Sequence, residues 1–329
     1  GVYTYVWEES TDGGGSWAAT GGNTPELAPP ALLQTTRYRR TVVSGQCTET
    51  SAHEVVINVL PPVSGNLIAA PSPICSGTTT ILNAPEPSGG AGSGTYTYFW
   101  EESTDNLGWV AASGTNDQQN YTTPPLTSPM YYRRTAVSGP AGCCQDISPS
   151  VFVDIHPLPT AVLTDPAQTV CSGTLVDLPV TLTGTAPWDV VVTDGTSSFP
   201  QNGIATASYL HQVTPATSIE NEALVYTVSS VTDGNGCQAL PAGMTGQGNV
   251  NVYGPSLADA GPDDEICGLS YSLQATLPYG SGTWAFPVAV ADISDDGNPN
   301  KLVTVDTEGA HTFTWTVVNG PCPADADDV

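Results

Sequence analysis

The sequence predicts an all-β fold: a tandem array of immunoglobulin-like β-sandwich domains forming an extended rod. Three observations carry this. Helix formers never line up at a 3.6-residue spacing, while Thr, Val and Tyr are abundant and 34 Gly and 29 Pro punctuate the chain. Segments recur at an interval of about 96 residues, too long for a solenoid unit and right for one small sandwich. The third observation is an alternating strand followed by proline at the close of each interval: VVINVLPP, VFVDIHPLP and NVNVYGP.

The recurrence is easiest to see in the tryptophan strands. Residues 3–12 read YTYVWEESTD and residues 96–105 read YTYFWEESTD. RYRRTVVSG (37–45) recurs as YYRRTAVSG (131–139), and ICSGT (74–78) recurs as VCSGT (170–174) and, shortened, as EICG (265–268). The boundaries follow: 1–61, a partial repeat without its first strands; 62–157; 158–254; and 255–329, which stops before a closing strand. Both ends therefore fall inside a repeat, which is the expectation for a window on a longer array. Short proline-bearing linkers are stiff, so the expected rod spans on the order of 120 Å at ~35 Å per repeat. PEPSGGAGSG (85–94) and DDGNPN (295–300) read as hairpin loops.

Within a repeat, WEES is a strand and YRRTVVS its partner. HTFTWTVVNG (311–320) alternates Phe313, Trp315 and Val317 with threonines, which marks an inward face. Aligned on the following Asn/Ser-Gly, the inward set of the first repeat is Tyr38, Arg40 and Val42. Arg40 and Glu9 then fall on the core side, as do Arg134 and Glu102 in the second repeat. We expect cross-strand pairs Glu9–Arg40 and Glu102–Arg134 rather than ligand contacts, because opposite charges on paired strands stabilise.

Eight cysteines without a CxxC spacing point to disulfides and an oxidising, extracellular setting rather than a metal site. Cys75, Cys171 and Cys267 are 96 residues apart, and each is followed by a late cysteine. The expected pairs lie within repeats: Cys75–Cys144, Cys171–Cys237 and Cys267–Cys322. Each would close a loop of roughly 60 residues, worth about 4 kcal/mol in the chain-entropy model. Cys143 competes with Cys144 for Cys75, and the partner of Cys47 falls before residue 1.

Composition excludes several functions. With a net charge of −26 and only Lys301 and five arginines as cations, there is no basic face for nucleic acid or anionic membrane. No apolar run is long enough to cross a membrane. Hydrophobic residues at 39% suffice for cores, so disorder is not expected. No nucleophile, acid/base or phosphate-binding set is present, so no enzyme and no cofactor is expected. Glu8–Glu9 and Glu101–Glu102 are sequence neighbours whose side chains point to opposite faces. His53, His156, His211 and His311 sit at non-equivalent positions and read as surface or strand-edge residues.

Calcium is a candidate at Asp292, Asp295, Asp296, Asn298 and Asn300, and at Asp259, Asp263, Asp264 and Glu265. The competing reading is a solvated acidic turn, since turns use the same residues. Trp17 and Trp109 are the only candidates for a sugar-binding platform, and packing caps are the better reading of both.

These motifs are similar to the immunoglobulin-like and PKD-like repeats of very large cell-surface adhesins of Bacteroidota, including gliding-motility adhesins. The resemblance rests on YTYVWEESTD with TTRYRRTVVSGQC and on their second copy. It rests also on CSGT, GTAPWDVVVTDG and YTVSSVTDGNGC in the third repeat, and ADAGPDDEICG, GSGTW and HTFTWTVVNGPC in the fourth. It covers nearly the whole chain and implies export by the type IX secretion system and display at the cell surface. The implied partners are neighbouring repeats of the same chain, surface glycans and the secretion or gliding machinery. The expected function is structural and adhesive. The alternative is a non-catalytic stalk or carbohydrate-binding modules of a secreted polysaccharide-degrading enzyme.

Overall fold

Residues 1–164, 167–286 and 297–329 are described by the computed structural model. Among them the structure is all β; the helical segments are two three-residue 3-10 turns, Pro140–Gly142 and Pro241–Gly243. The chain divides into two compact units, Gly1–His156 and Pro157–Val329.

In the first unit, Thr4–Ser10 pairs with Thr36–Ser44, the partner strand the sequence suggests, in a register that sets Trp7 opposite Arg40 and Glu9 opposite Tyr38. Ala18–Ala19 extends one side, and Cys47–Thr50 and Val55–Ile57 extend the other. The second repeat builds the same sheet from Thr97–Ser103, Val110–Ala111, Met130–Ser138, Cys144–Ile147 and Val151–Val153. It also lays Ile81–Leu82 with Tyr121–Thr122, and Ile74–Cys75 with Ile155–His156, as further two-stranded sheets. A core of Leu82, Trp100, Tyr121, Tyr132 and Val153 is buried in this repeat. Trp100 stacks on Tyr121 at 5.5 Å between ring centroids. Alternation drives this: Tyr98 and Trp100 share one face of their strand and Tyr132 and Ala136 one face of theirs, and burial returns about 25 cal/mol per Å².

In the second unit, the third repeat is a two-layer sandwich. One sheet orders Ser208–Val213, Val176–Leu182, Ala161–Leu163 and Met244–Gly246. The other orders Gln168–Cys171, Gly248–Tyr253, Asn221–Thr232, Trp188–Thr193 and Ser198–Ile204. Valines and leucines at alternate positions fill the space between them. The fourth repeat pairs Ser281–Ala285 with Thr314–Val318 and Asp325–Asp328, and Ser270–Ser272 with Leu302–Thr304. Its core holds Leu273, Trp284, Val303, Phe313, Trp315 and Val317, so the inward set expected at 313, 315 and 317 is the one observed. No helix among the described residues is long and apolar enough to cross a membrane.

Candidate functional site

The feature with most chemistry lies inside the second unit, where the fourth repeat meets the third. Asn221–Thr232 is a twelve-residue strand of the third repeat, and its two ends define opposite ends of the sandwich. At one end Asn221 faces Tyr253, and Tyr253 also faces Cys171 in a parallel pair. At the other end Asp233 N–H donates to Cys237 O, and the carboxylate of Asp233 receives Thr185 N–H. At ~3.3 Å per residue these ends are about 35 Å apart. Cys171 and Cys237 therefore cannot reach one another, since a disulfide needs Cα atoms within about 7 Å.

Cys171 instead bonds Cys322 of the next repeat, with Cα atoms 4.8 Å apart. This corrects the pairing expected within repeats. Cys267 is free and exposed, so Cys267–Cys322 is not formed, and Cys144 is free, so Cys75–Cys144 is not formed. Cys75 and Cys237 are each disulfide-bonded. Cys47 and Cys143 are free and exposed.

The turn Asn319-Gly320-Pro321-Cys322 is shaped for this bond. Asn319 is 1% exposed. Its side-chain amide donates to Glu220 O and Gly254 O, at 2.9 and 2.8 Å, and its backbone N–H donates to Ser256 Oγ at 3.0 Å. Gly320 sits at φ 54° with its Cα against the Tyr253 ring; a Cβ there would come within 2.4 Å of the ring. Any side chain would both strain the backbone and collide. The joint is a hydrogen-bonded dock closed by a covalent bond, and it leaves two covalent paths between the repeats: the linker and the disulfide.

The expected ion pairs form between different residues. Arg39 binds Glu8 at 2.8 Å and Arg133 binds Glu101 at 2.7 Å, on the outer face. Arg37 binds Glu54 at 2.9 Å. Arg39 and Arg133 also lie under indoles, at 4.2 Å from Trp17 and 4.3 Å from Trp109. The two tryptophans are half-buried and cover ion pairs.

The inward arginines are where their parity puts them, but they do not bind the glutamates. Glu102 accepts from Ser113 Oγ at 2.9 Å and from Ser113 N–H. Arg134, at 0% exposure, donates to Asn66 Oδ1, Ala84 O, Gln119 O and Pro85 O. It also lies over the Tyr98 and Trp100 rings. Burial lowers its pKa, opposed by the Tyr98 hydroxyl. Arg40 donates to Pro25 O at 2.7 Å and lies 5.5 Å from the Tyr5 and Trp7 ring centroids. In both repeats the inward glutamate is diagonal to the arginine, two residues further along the same strand pair, and neutral oxygens take the guanidinium's donors.

Among the calcium candidates, Asp292, Asp295 and Asp296 lie outside the described residues. Asn298 Oδ1 accepts Asn300 N–H at 3.0 Å, an Asx turn. Asp259 accepts from Gly261 N–H and Thr276 Oγ1, and Asp264 accepts Glu265 N–H. No group of three or more acidic, histidine or cysteine side chains is poised for a metal among the described residues. Asp263, Asp264 and Glu265 instead border an open groove of about 930 Å³, floored by Leu273, Val303 and Phe313.

His211 takes the strand-edge place of its two expected ones, and is buried there. It lies on the edge strand Ser208–Val213 but is 2% exposed, with Nδ1 3.3 Å from the Tyr209 hydroxyl. Burial lowers its pKa and pushes that of Tyr209 up to about 12.

Comparison with known proteins adds the following. The family model of a domain of unknown function (DUF8696) matches residues 1–61 and 64–157. No curated protein matches the chain. Among solved structures, an I-band fragment of titin aligns with TM-score 0.44 at 10% identity, over 83% of this chain and 98% of that one. An ICAM-5 ectodomain fragment aligns with TM-score 0.39 at 15% identity, over 90% and 82%. The insect immune protein hemolin aligns with TM-score 0.33 at 12% identity, over 99% and 90%. What the described residues show directly is an all-β chain built of successive sheet-bearing repeats.

Proposed function

We propose that this chain is a non-catalytic, load-bearing segment of a secreted protein, in which neighbouring sandwiches are bolted together by disulfides. The observation that carries the reading is Cys171–Cys322, which spans 151 residues and crosses the joint between two repeats. Each sandwich has its own core, so the bond is not what completes either one. It does give tension a second covalent route past the linker. Disulfides persist outside the cytosol, which supports an extracellular site. The finer reading is a segment of a cell-surface adhesin of the Bacteroidota gliding type, exported by type IX secretion and in contact with surface glycans or its own neighbouring repeats. That reading rests on the sequence motifs.

Single-molecule stretching tests the load path. Pulled from its ends, the oxidised chain should withhold the length between Cys171 and Cys322, on the order of 500 Å at ~3.3–3.6 Å per residue. Adding reductant should release it. Full extension of the oxidised chain would show that the bond does not shield the third and fourth repeats.

A further inference from the structure

The second repeat carries two free thiols at a turn where the first repeat carries one. In the first, Ser44 pairs with Cys47 across a tight turn of two residues, Gly45 and Gln46, and Cys47 is free and exposed. In the second, Ser138 pairs with Cys144, and five residues, 139–143, fill the same turn. The longer turn sets Cys143 directly before Cys144, and both are free. Their Sγ atoms lie 3.6 Å apart.

Adjacency in sequence does not by itself bring two thiols together, because successive side chains of an extended strand point to opposite faces. Here the turn brings them to one side. Cys143 is in the right-handed helical conformation, at φ −61° and ψ −24°, while Cys144 opens the edge strand Cys144–Ile147. Ahead of it Gly139, Ala141 and Gly142 take φ 88°, 54° and 70°. Gly142 N–H and Cys143 N–H donate to Gly139 O and Pro140 O, each at 3.2 Å. A Cβ on Gly139 would stand 2.8 Å from the Cys143 sulfur, so a glycine there leaves the thiol its place. Cys143 is exposed and Cys144 half-buried. The hydrogen bond with the Cys143 thiol raises the Cys144 pKa, which leaves the exposed sulfur as the first to react.

We propose that Cys143 and Cys144 are a modification site, a vicinal dithiol that an external disulfide closes into a Cys143–Cys144 bond. The sulfurs close from 3.6 Å to about 2.0 Å. The oxidant is a small disulfide such as oxidised glutathione. The Cys143 thiolate attacks it, breaks its S–S bond and releases one glutathione thiolate. The Cys144 thiolate then attacks the Cys143 sulfur of the mixed disulfide and releases the other. The two protons lost by the protein thiols end on the two glutathiones. The product differs in kind from Cys171–Cys322, whose Cα atoms are 4.8 Å apart. Neighbouring Cα atoms across a trans peptide are ~3.8 Å apart, short of the ~4.4–6.8 Å usual for disulfides. The closed ring is therefore strained, and strained, exposed disulfides are the easily reduced ones. The chain then carries a durable bolt inside the second unit and a reversible clasp on a sheet edge of the first. The inference does not rest on the load-bearing reading.

The test uses the full chain, oxidised with glutathione disulfide and mapped without reduction. The peptide that holds Cys143 and Cys144 should be recovered lighter by two hydrogens and carrying no glutathione. On stepwise reduction with dithiothreitol this bond should open at about a tenfold lower concentration than Cys171–Cys322. Cys144→Ser, which removes the resolving thiol, should instead keep glutathione on Cys143. Glutathione retained on either residue of the parent chain would overturn the proposal. So would a bond from either one to another cysteine or another chain, or both thiols left unmodified in a folded chain. Opening together with Cys171–Cys322 would overturn the reversible clasp. If Cys144→Ser does not fold, the mapping of the parent chain decides alone. Cys171–Cys322 is mapped in the same digest, so its presence without the Cys143–Cys144 bond removes this inference and leaves the load-bearing reading standing.

Discussion

Trp100 of the second repeat and Trp284 of the fourth each face one residue directly across a strand pair, but that residue is Arg134 in one and Trp315 in the other. Both are fully buried. Trp315 fills its place with apolar surface, lies 5.0 Å from Trp284 between centroids, and donates one hydrogen bond, to Thr276 O. Arg134 brings a charge inside, at a desolvation cost that only well-placed acceptors offset. It finds four oxygens and two aromatic faces. The first repeat supplies the control. Arg40 faces Trp7 in the same register, is half-buried, and donates to Pro25 O. The same sheet position thus holds an arginine caged by four acceptors in the second repeat and a half-buried one with a single carbonyl acceptor, Pro25 O, in the first.

The largest expected effect follows from emptying the cage. Arg134→Met should cost about 3–5 kcal/mol in chemical denaturation, because buried acceptors lose their donors. A loss under ~1 kcal/mol would mean that the cage merely tolerates the charge. Asn66→Ala comes next, at about 2–3 kcal/mol, since this amide donates to Arg134 O and Asp146 O while accepting from the guanidinium. Arg40→Met should cost under ~1 kcal/mol, the range of exposed cation–π contacts. Equal losses at Arg40 and Arg134 would erase the comparison.

A smaller effect should be seen in the third repeat, which buries a titratable group without a charge partner. Burial holds His211 below its usual range, so the folded state binds fewer protons than the unfolded chain. Stability from this residue is present above the unfolded value near ~6.5 and is lost as pH falls toward the lower folded one. Thermal melts between about pH 7.5 and 5 should show that slope, and His211→Gln should flatten it.

Strand pairing and facing were readable from the sequence because they depend on alternation alone. Aligning Val318-Asn319-Gly320 with Val43-Ser44-Gly45 put Tyr38, Arg40 and Arg134 on the inner face, where they lie. The partners of those arginines were not readable. Parity says that Glu102 and Arg134 share a face, but not that Ser113 sits nearer one and Gln119 O nearer the other. The cysteines failed for a related reason. A 96-residue spacing sorts Cys75, Cys171 and Cys267 into one class and Cys237 and Cys322 into another. It is equally consistent with bonds inside a repeat and with bonds to the next. Only the placement of Cys171 at the Tyr253 end and Cys237 at the Asp233 end, about 35 Å apart along one strand, decides between them. The Asn-Gly-Pro-Cys turn carried the clue: a glycine at positive φ pressed against a neighbouring ring has a reason to be small.

The most direct measurement of the bolted joint is peptide mapping of the oxidised chain under non-reducing conditions. One cross-linked species should contain Cys171 and Cys322, with Cys267 recovered as a free thiol. Recovery of Cys171 with Cys237, and of Cys267 with Cys322, would contradict the account: the sandwiches would then be closed singly and the joint held by packing alone.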